Sequence, residues 1–455
     1  MSGTIGYYLL AVDITTGNVL GTGIQIAGSV PGLAPSKCGT SSPLTGQTIK
    51  FDNNHIQRSG LLLLNGKVYV AFAAGPGDEV ENGWLFAYSF TSNTFSQTAA
   101  FSTTPDGTGG GIWMSGAGPA SDGNSIFVTT GNGTFDLNGS SPLDDDAGDS
   151  LLKLTPALVR SDYYTPSDVF SYNNNQGRCV NDIDFGSGGV LLPTNFTYTG
   201  SNGGCSSGCG VAVNADKESK LYVANTANLG GFDGTKDCSS NFNNIQCVAT
   251  PAVPSNDPLQ GYWASPAYWT YTSGSTTKYM LYYAATMQST TAGVAPEAIN
   301  AYQLQTSGSP GPIPSATPFA STSTLFCDFS PTPSVSSNST QAATGILWAI
   351  ETSQNSNNNG VHSPPDCYPG LNYQNVVPHA ALHAFCAAAG TPSGPCPTAL
   401  TEIYSSRNLQ HTEPSLAHAF PTPTISNGYV YIGTDAEVDV FGLCINGVKG
   451  ACVKP

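Results

Sequence analysis

Gly60-Leu61-Leu62-Leu63-Leu64-Asn65-Gly66-Lys67-Val68-Tyr69-Val70-Ala71-Phe72 is the stretch on which the fold turns. It holds two short apolar runs, Gly60–Leu64 and Val68–Phe72, and a third, Phe86-Ala87-Tyr88, follows after a Gly- and Pro-containing segment. Runs of this length, rich in β-branched and aromatic residues and separated by turn formers, predict strands. Helical periodicity is nearly absent from the rest of the chain.

The same order of runs recurs. Ala11-Val12-Asp13, Phe86-Ala87-Tyr88, Leu152-Lys153-Leu154, Tyr222-Val223-Ala224, Asn300-Ala301-Tyr302, His383-Ala384-Phe385 and Asp439-Val440-Phe441 occupy equivalent positions. Middle strands are expected at Val68–Phe72, Ile126–Thr129, Met280–Tyr283, Ile346–Ala349 and Tyr429–Ile432. Inner strands are expected at Gly60–Leu64, Gly188–Leu192, Ser265–Trp269, Pro333–Ser336 and Thr422–Ile425. A unit of three or four strands repeated about every 40–70 residues means a propeller, because one small sheet buries its faces only against its neighbours. The expected fold is therefore all-β: a propeller of four-stranded antiparallel blades, seven in number with six to eight compatible, forming one domain over 1–455. Residues 1–30 supply either an incomplete first blade or strands that close the ring. Residues 444–455 form a disulfide-tied tail.

Only 10% of the 455 residues are charged, and hydrophobic residues make up 39%. Ser, Thr, Asn and Gly take over the solvent-facing role that charge has in a typical chain, where ~25% of residues are charged. A net charge of −16 disfavours non-specific binding to nucleic acid and anionic membranes, since phosphates repel an acidic surface. No apolar run approaches the ~18 residues of a membrane helix, so membrane insertion is not expected either.

The chain has 12 cysteines and 14 Lys plus Arg, which points to an oxidising compartment. Cys205/Cys209, Cys238/Cys247, Cys386/Cys396 and Cys444/Cys452 each flank a Gly-, Asn- or Pro-rich stretch and are expected to tie off loops as disulfides. No Cys-x2-Cys pair supports zinc. Sequons at Asn132, Asn138, Asn195 and Asn338 are compatible with a glycoprotein. Met1-Ser2-Gly3 has neither a basic nor an apolar leader, so the chain is expected to be the mature or truncated form of a secreted, extracellular or periplasmic protein.

Leu10-Ala11-Val12-Asp13-Ile14-Thr15-Thr16-Gly17 resembles the Ala-x-Asp-x-x-Thr-Gly signature of PQQ-like (quinoprotein-type) β-propeller repeats. There the Asp caps its own turn and the Gly takes positive φ. Gln57–Leu63, Gly110–Gly116, Thr130–Asp136, Gly148-Asp149-Ser150, Asp184–Gly189 and Val438–Leu443 are similar to stretches of large secreted proteins of that family. The resemblance covers most of the chain and implies the fold. Members that bind PQQ imply more: a Trp floor under the quinone, Ca²⁺ on acidic and amide side chains, an Asp base and a disulfide between adjacent cysteines. This sequence has no adjacent Cys-Cys pair and no haem-attachment motif, which counts against PQQ.

Candidate groups remain. Trp113 and Trp263 could stack a flat ligand or pack between blades. His55, Gln57 and Arg58 precede an inner strand, where an Arg can anchor a carboxylate or sulfate, or satisfy carbonyls between blades. Asp144, Asp145, Asp146 and Asp149 offer oxygen ligands to Ca²⁺, or form a solvated loop. Asp182 and Asp184 either act as paired carboxylates in glycoside cleavage or fix a turn. His379 and His383 would need further metal ligands, and His411 or His418 are candidates that no spacing supports.

Three functions follow. The first is an extracellular binding or surface module for carbohydrate or a protein partner, using long polar loops (Ser171–Gln176, Ser201–Cys209, Gln354–Pro365) and the aromatics Tyr163, Tyr164, Tyr262 and Tyr268. The second is an enzyme, either a PQQ-type alcohol or sugar oxidoreductase or a polysaccharide-cleaving propeller. The third is a surface-assembly subunit that self-associates through an open blade edge.

Overall fold

The computed structural model describes residues 6–33, 47–73, 75, 82–139, 145–171, 177–201, 204–235, 242–250, 260–287, 297–326, 330–352, 380–390, 396–406, 420–434 and 437–442. The chain divides into two compact units, one of Met1–Lys217 with Leu221–Cys247 and one of Glu218–Lys220 with Val248–Pro455.

In the first unit, β1 (Tyr8–Val12), β2 (Val19–Gln25), β5 (Leu62–Leu64), β6 (Lys67–Phe72), β7 (Trp84–Thr91) and β8 (Thr94–Ser102) form one sheet, ordered β1-β2-β8-β7-β6-β5. A separate pair joins β3 (Ser29–Pro31) to β4 (Thr48–Lys50). A second sheet has the order β15-β12-β11-β10-β9, from β9 (Ala120–Ser121), β10 (Ile126–Thr129), β11 (Leu151–Leu154), β12 (Arg160–Thr165) and β15 (Gly231–Phe232). The third holds β13 (Val211–Ala215), β14 (Lys220–Asn225) and β16 (Ile245–Ala249). One short helix, α1, spans Arg178–Asn181.

The second unit has a two-stranded pair, β17 (Gln260–Gly261) with β20 (Thr286–Met287), and a four-stranded sheet of β18 (Ala267–Ser273), β19 (Thr276–Ala284), β21 (Glu297–Leu304) and β22 (Ala320–Phe326). Another four-stranded sheet contains β23 (Ser334–Ser336), β24 (Ile346–Glu351), β25 (Ala381–Cys386) and β26 (Glu402–Ser405). The last holds β27 (Thr424–Ser426), β28 (Tyr429–Gly433) and β29 (Val438–Gly442).

The fold is thus nearly all-β, 2% helical, and its sheets form a six-blade β-propeller arrangement, one blade fewer than the seven expected and inside the stated range. The difference lies in β1. Its Ala11-Val12 run builds no blade of its own, because β1 pairs with β2, which meets β8 at Thr22↔Thr94. Blade turns follow local chemistry. Asn65-Gly66, Ser92-Asn93 and Asn427-Gly428 all take positive φ at both central positions, matching the right-handed twist of the hairpins they close. Asp13 accepts from the Thr15 amide at 2.8 Å while Gly17 sits at φ 72°, as the repeat signature implies.

Each unit has its own core. Tyr69, Leu85, Phe127, Leu152, Phe185 and Tyr222 are buried together in the first unit, beside a cluster of Phe72, Trp84 and Phe86. Met280, Tyr282, Ile299, Leu347 and Phe385 fill the second. Central strands such as β6 are buried over consecutive residues, whereas outer β22 alternates. A strand covered on both faces needs apolar residues throughout, and one with a wet face does not.

Candidate functional site

Beside the blades of the first unit lies a buried hub of Thr- and Gly-rich loops. Residues 102–115, 130–135, 146–150 and 183–190 are all buried. They are knitted by backbone bonds: Gly110 N–H to Asn132 O (2.8 Å), Gly131 N–H to Gly111 O (2.9 Å), Asp149 N–H to Gly131 O (2.8 Å) and Ser115 N–H to Ser187 O (3.0 Å). Loops approach this closely only where side chains are missing. At Gly131 a methyl group would run into Asp184 Oδ1 and lie 2.8 Å from Trp113 Cδ1. That glycine therefore brings the Trp113 and Asp184 segments together.

On this hub sits Arg58. Its guanidinium carbon lies 4.5 Å from the Trp113 ring centroid, and Nη1 donates to Ser115 Oγ at 3.3 Å. Arg58 is exposed, while Trp113 is only 7% exposed, so the ring is a covered floor with a cation as its lid. Gln57 is exposed and bonds the Ser59 carbonyl. His55 turns inward: Nδ1 lies 3.1 Å from Asp52 Oδ1, and the ring packs on Phe51, with centroids 4.6 Å apart. Of the residues expected to bind ligand, Arg58 and Trp113 meet, His55 is buried in the neighbouring aromatic cluster, and Trp263 belongs to the second unit, half-buried.

Asp182 and Asp184 follow α1, with Asp182 at φ 52° in the turn rather than on a strand. Both carboxylates close on one ammonium: Lys217 Nζ lies 2.8 Å from Asp182 Oδ1 and 2.7 Å from Asp184 Oδ2. Burial alone would lower the Lys217 pKa; the Asp184 and Asp182 charges outweigh it and hold the ammonium above its ordinary value. Asp184 Oδ1 also accepts from the Asn132 amide at 2.8 Å. A fully buried Arg178 makes the second ionic knot, with Nε 2.8 Å from Asp168 Oδ1 and Nη2 3.2 Å from Asp216 Oδ2. Tyr222 donates to the same Asp216 oxygen at 2.7 Å. Asp149 accepts from the Phe185 amide at 3.0 Å, and burial pushes its carboxyl well above the usual range, with Arg178 opposing.

The structure divides the Asp-rich run. Asp144 lies outside the described residues. Asp146 bonds the Asp106 amide (2.9 Å), while Asp149 faces Phe185 instead. Among the described residues, no group of three or more His, Cys, Asp or Glu side chains is arranged to hold a metal ion. Quinone stacking on Trp113 meets a steric obstacle as well, since Arg58 covers one ring face and the ring is nearly buried.

Cys205–Cys209 and Cys386–Cys396 are disulfides, with Cα atoms 5.0 and 5.5 Å apart. Cys247 and Cys179 are also disulfide-bonded, and Cys238, Cys444 and Cys452 lie outside the described residues, as do His379, His411 and His418. Most of the Ser171–Gln176 loop and all of Gln354–Pro365 also lie outside them. Among the described residues no helix is long and apolar enough to cross a membrane. These features are compatible with a secreted or periplasmic protein. Sequon residues Asn138, Asn195 and Asn338 are exposed, but Asn132 is buried, with Nδ2 on the Cys179 carbonyl (3.3 Å). Of the aromatics expected at the surface, Tyr262 and Tyr164 are buried, and Tyr163 and Tyr268 are half-buried. The Tyr262 ring meets Tyr283, and the Tyr164 ring meets Tyr222.

Sequence reading missed the cations. Lys217 and Arg178 are two of only 14 Lys and Arg, and their position among aspartates in a charge-poor chain was the available signal. It also missed a triad around a buried histidine in the second unit. His383 lies between Glu402 (Nδ1 to Oε1, 2.6 Å) and Glu351 (Nε2 to Oε2, 3.1 Å). Burial alone would lower the His383 pKa, but these two carboxylates raise it to about 9. The rings of His383 and Phe385 stack at 13°.

No known family profile matches the sequence, and no curated protein matches it. Among solved structures it is similar to a europium-containing methanol dehydrogenase (TM-score 0.35, 10% identity, 95% of this chain and 63% of that one). It is also similar to a glucose dehydrogenase (TM-score 0.27, 15% identity, 70% and 88%). A third is an exotype rhamnogalacturonan lyase (TM-score 0.33, 11% identity, 96% and 80%). The chain spans 63% of the methanol dehydrogenase's length. Propellers host dehydrogenases, lyases and binding modules alike, so the likeness reaches no further than the scaffold.

Proposed function

We propose that the chain is an extracellular binding propeller whose ligand is an acidic carbohydrate held at Arg58. The observation that carries this reading is the exposed Arg58 guanidinium laid on the Trp113 ring, 4.5 Å from its centroid. A guanidinium stacked on a ring is held in one orientation, and its planar fork is the shape that a carboxylate or sulfate matches. The carboxylate pair suited to glycoside cleavage favours binding over hydrolysis, because Lys217 neutralises both Asp182 and Asp184.

Affinity electrophoresis through polygalacturonate, with neutral dextran as control, tests the reading. Retardation by the acidic polymer alone, lost in Arg58→Ala, is expected. Equal mobility of the two proteins in polygalacturonate would overturn it, as would the appearance of new reducing ends.

A further inference from the structure

Three polar atoms without hydrogen-bond partners belong to neighbouring side chains at one end of the six-stranded sheet. Trp84 on β7 pairs with Phe72 on β6 and with Ser102 on β8, so these three side chains stand in a row on one face. Ile56 bridges to Ala73, the residue after Phe72. Since neighbours alternate across a strand, His55 falls on the Phe72 side. Its ring stands edge-on to Trp84, with centroids 6.4 Å apart at 81°, and both rings meet Phe51. Trp84, His55 and Ser102 are each at most 4% exposed. Trp84 Nε1, His55 Nε2 and Ser102 Oγ are the unpartnered atoms, and Phe51, Phe72 and Phe86 surround them.

The three atoms are chemically complementary. An indole N–H only donates, and a hydroxyl donates or accepts. His55 Nδ1 lies 3.1 Å from Asp52 Oδ1 and 3.2 Å from the Asp52 carbonyl, both acceptors. That nitrogen therefore carries the hydrogen, and Nε2 of the neutral ring accepts. We propose that one buried water molecule binds among Trp84, His55 and Ser102, accepting from Trp84 Nε1–H, donating to His55 Nε2 and sharing a hydrogen with Ser102 Oγ. A buried water takes about three polar partners, and this site offers that number. Two bonds of ~2.9 Å let one water join atoms up to ~5.8 Å apart, a span that suits these two rings. The water fastens His55, and with it the segment that leads into Arg58, to β7 and β8.

Two measurements on the whole chain test this. A high-resolution crystal structure of the wild type, which needs no variant, should show one ordered water within ~3.2 Å of all three atoms. Ser102→Ala separates a wet site from a dry one by the sign of its effect on thermal melting. With the water in place, the change removes one of its partners and should lower the melting temperature by about 2–4 °C, the shift of one lost hydrogen bond. In a dry site it deletes an unpaired buried hydroxyl, so the melting temperature would hold or rise. An unchanged or raised melting temperature in Ser102→Ala would overturn the proposal. So would crystals in which the site holds no water, in which the three atoms pair directly with one another, or in which xenon fills it, as it fills a dry apolar cavity.

Discussion

Lys217 Nζ stands 2.7 Å from Asp184 Oδ2, and both side chains are almost wholly buried. The pair fixes the turn after α1 to the hub, because the other Asp184 oxygen holds the Asn132 amide. Replacing Lys217 with Met strands the Asp184 charge, and unfolding by urea should show a loss of about 3–5 kcal/mol. Asp184→Asn should cost less, since the ammonium keeps the half-exposed Asp182. Equal losses in the two variants would mean that stranding the ammonium costs as much as stranding the Asp184 carboxylate.

Gly131→Ala tests the hub's packing. Its methyl would press on Asp184 Oδ1 and Trp113 Cδ1. A lowered melting temperature together with weakened polygalacturonate binding is expected, because both neighbours must shift. Unchanged stability and binding would show that the loops are farther apart than described.

His383 gives the second unit its own pH dependence. With the carboxylates of Glu351 and Glu402 holding it at about 9, against ~6.5 unfolded, its contribution is fully present below pH 6.5 and is lost as pH rises to 9. The stability difference between wild type and His383→Gln should therefore shrink by about 2–3 kcal/mol across that window, read from urea midpoints at fixed pH. A constant difference would place the folded pKa at its unfolded value.

Cys386–Cys396 closes a loop of sequence separation 10 at the end of β25. Double replacement by Ser should cost about 2–3 kcal/mol, chiefly by freeing the unfolded chain. A denaturation midpoint unchanged by the replacement, or by reductant, would mean that the bond carries no stability.

Much of the fold was legible because its signal is local. Runs such as Val68–Phe72 and Tyr429–Ile432 are strands β6 and β28, within a residue or two. Of the expected inner strands, Gly188–Leu192 failed as a strand: the segment makes only isolated bridges at Gly188 and Leu191, its neighbours being the Gly-rich hub. Blade number was less legible, since β1 carries the repeat signature but spends it on a hairpin edge. At the site, Arg58 and Trp113 are 55 positions apart in the sequence numbering, and nothing in either local pattern states that they touch. Asp145, Asp146 and Asp149 show the opposite failure. Neighbours in sequence, they part because Asp149 turns at φ 50° toward Phe185.

Calorimetric titration of the oxidised chain with a galacturonic acid oligosaccharide at low and high salt tests the central claim most directly. The account predicts saturable binding that weakens with salt, falls at least tenfold in Arg58→Ala (about 1.4 kcal/mol or more, as for a charge-assisted contact), and is partly kept by Arg58→Lys. Binding that is indifferent to Arg58, or equal for the neutral sugar, would contradict it.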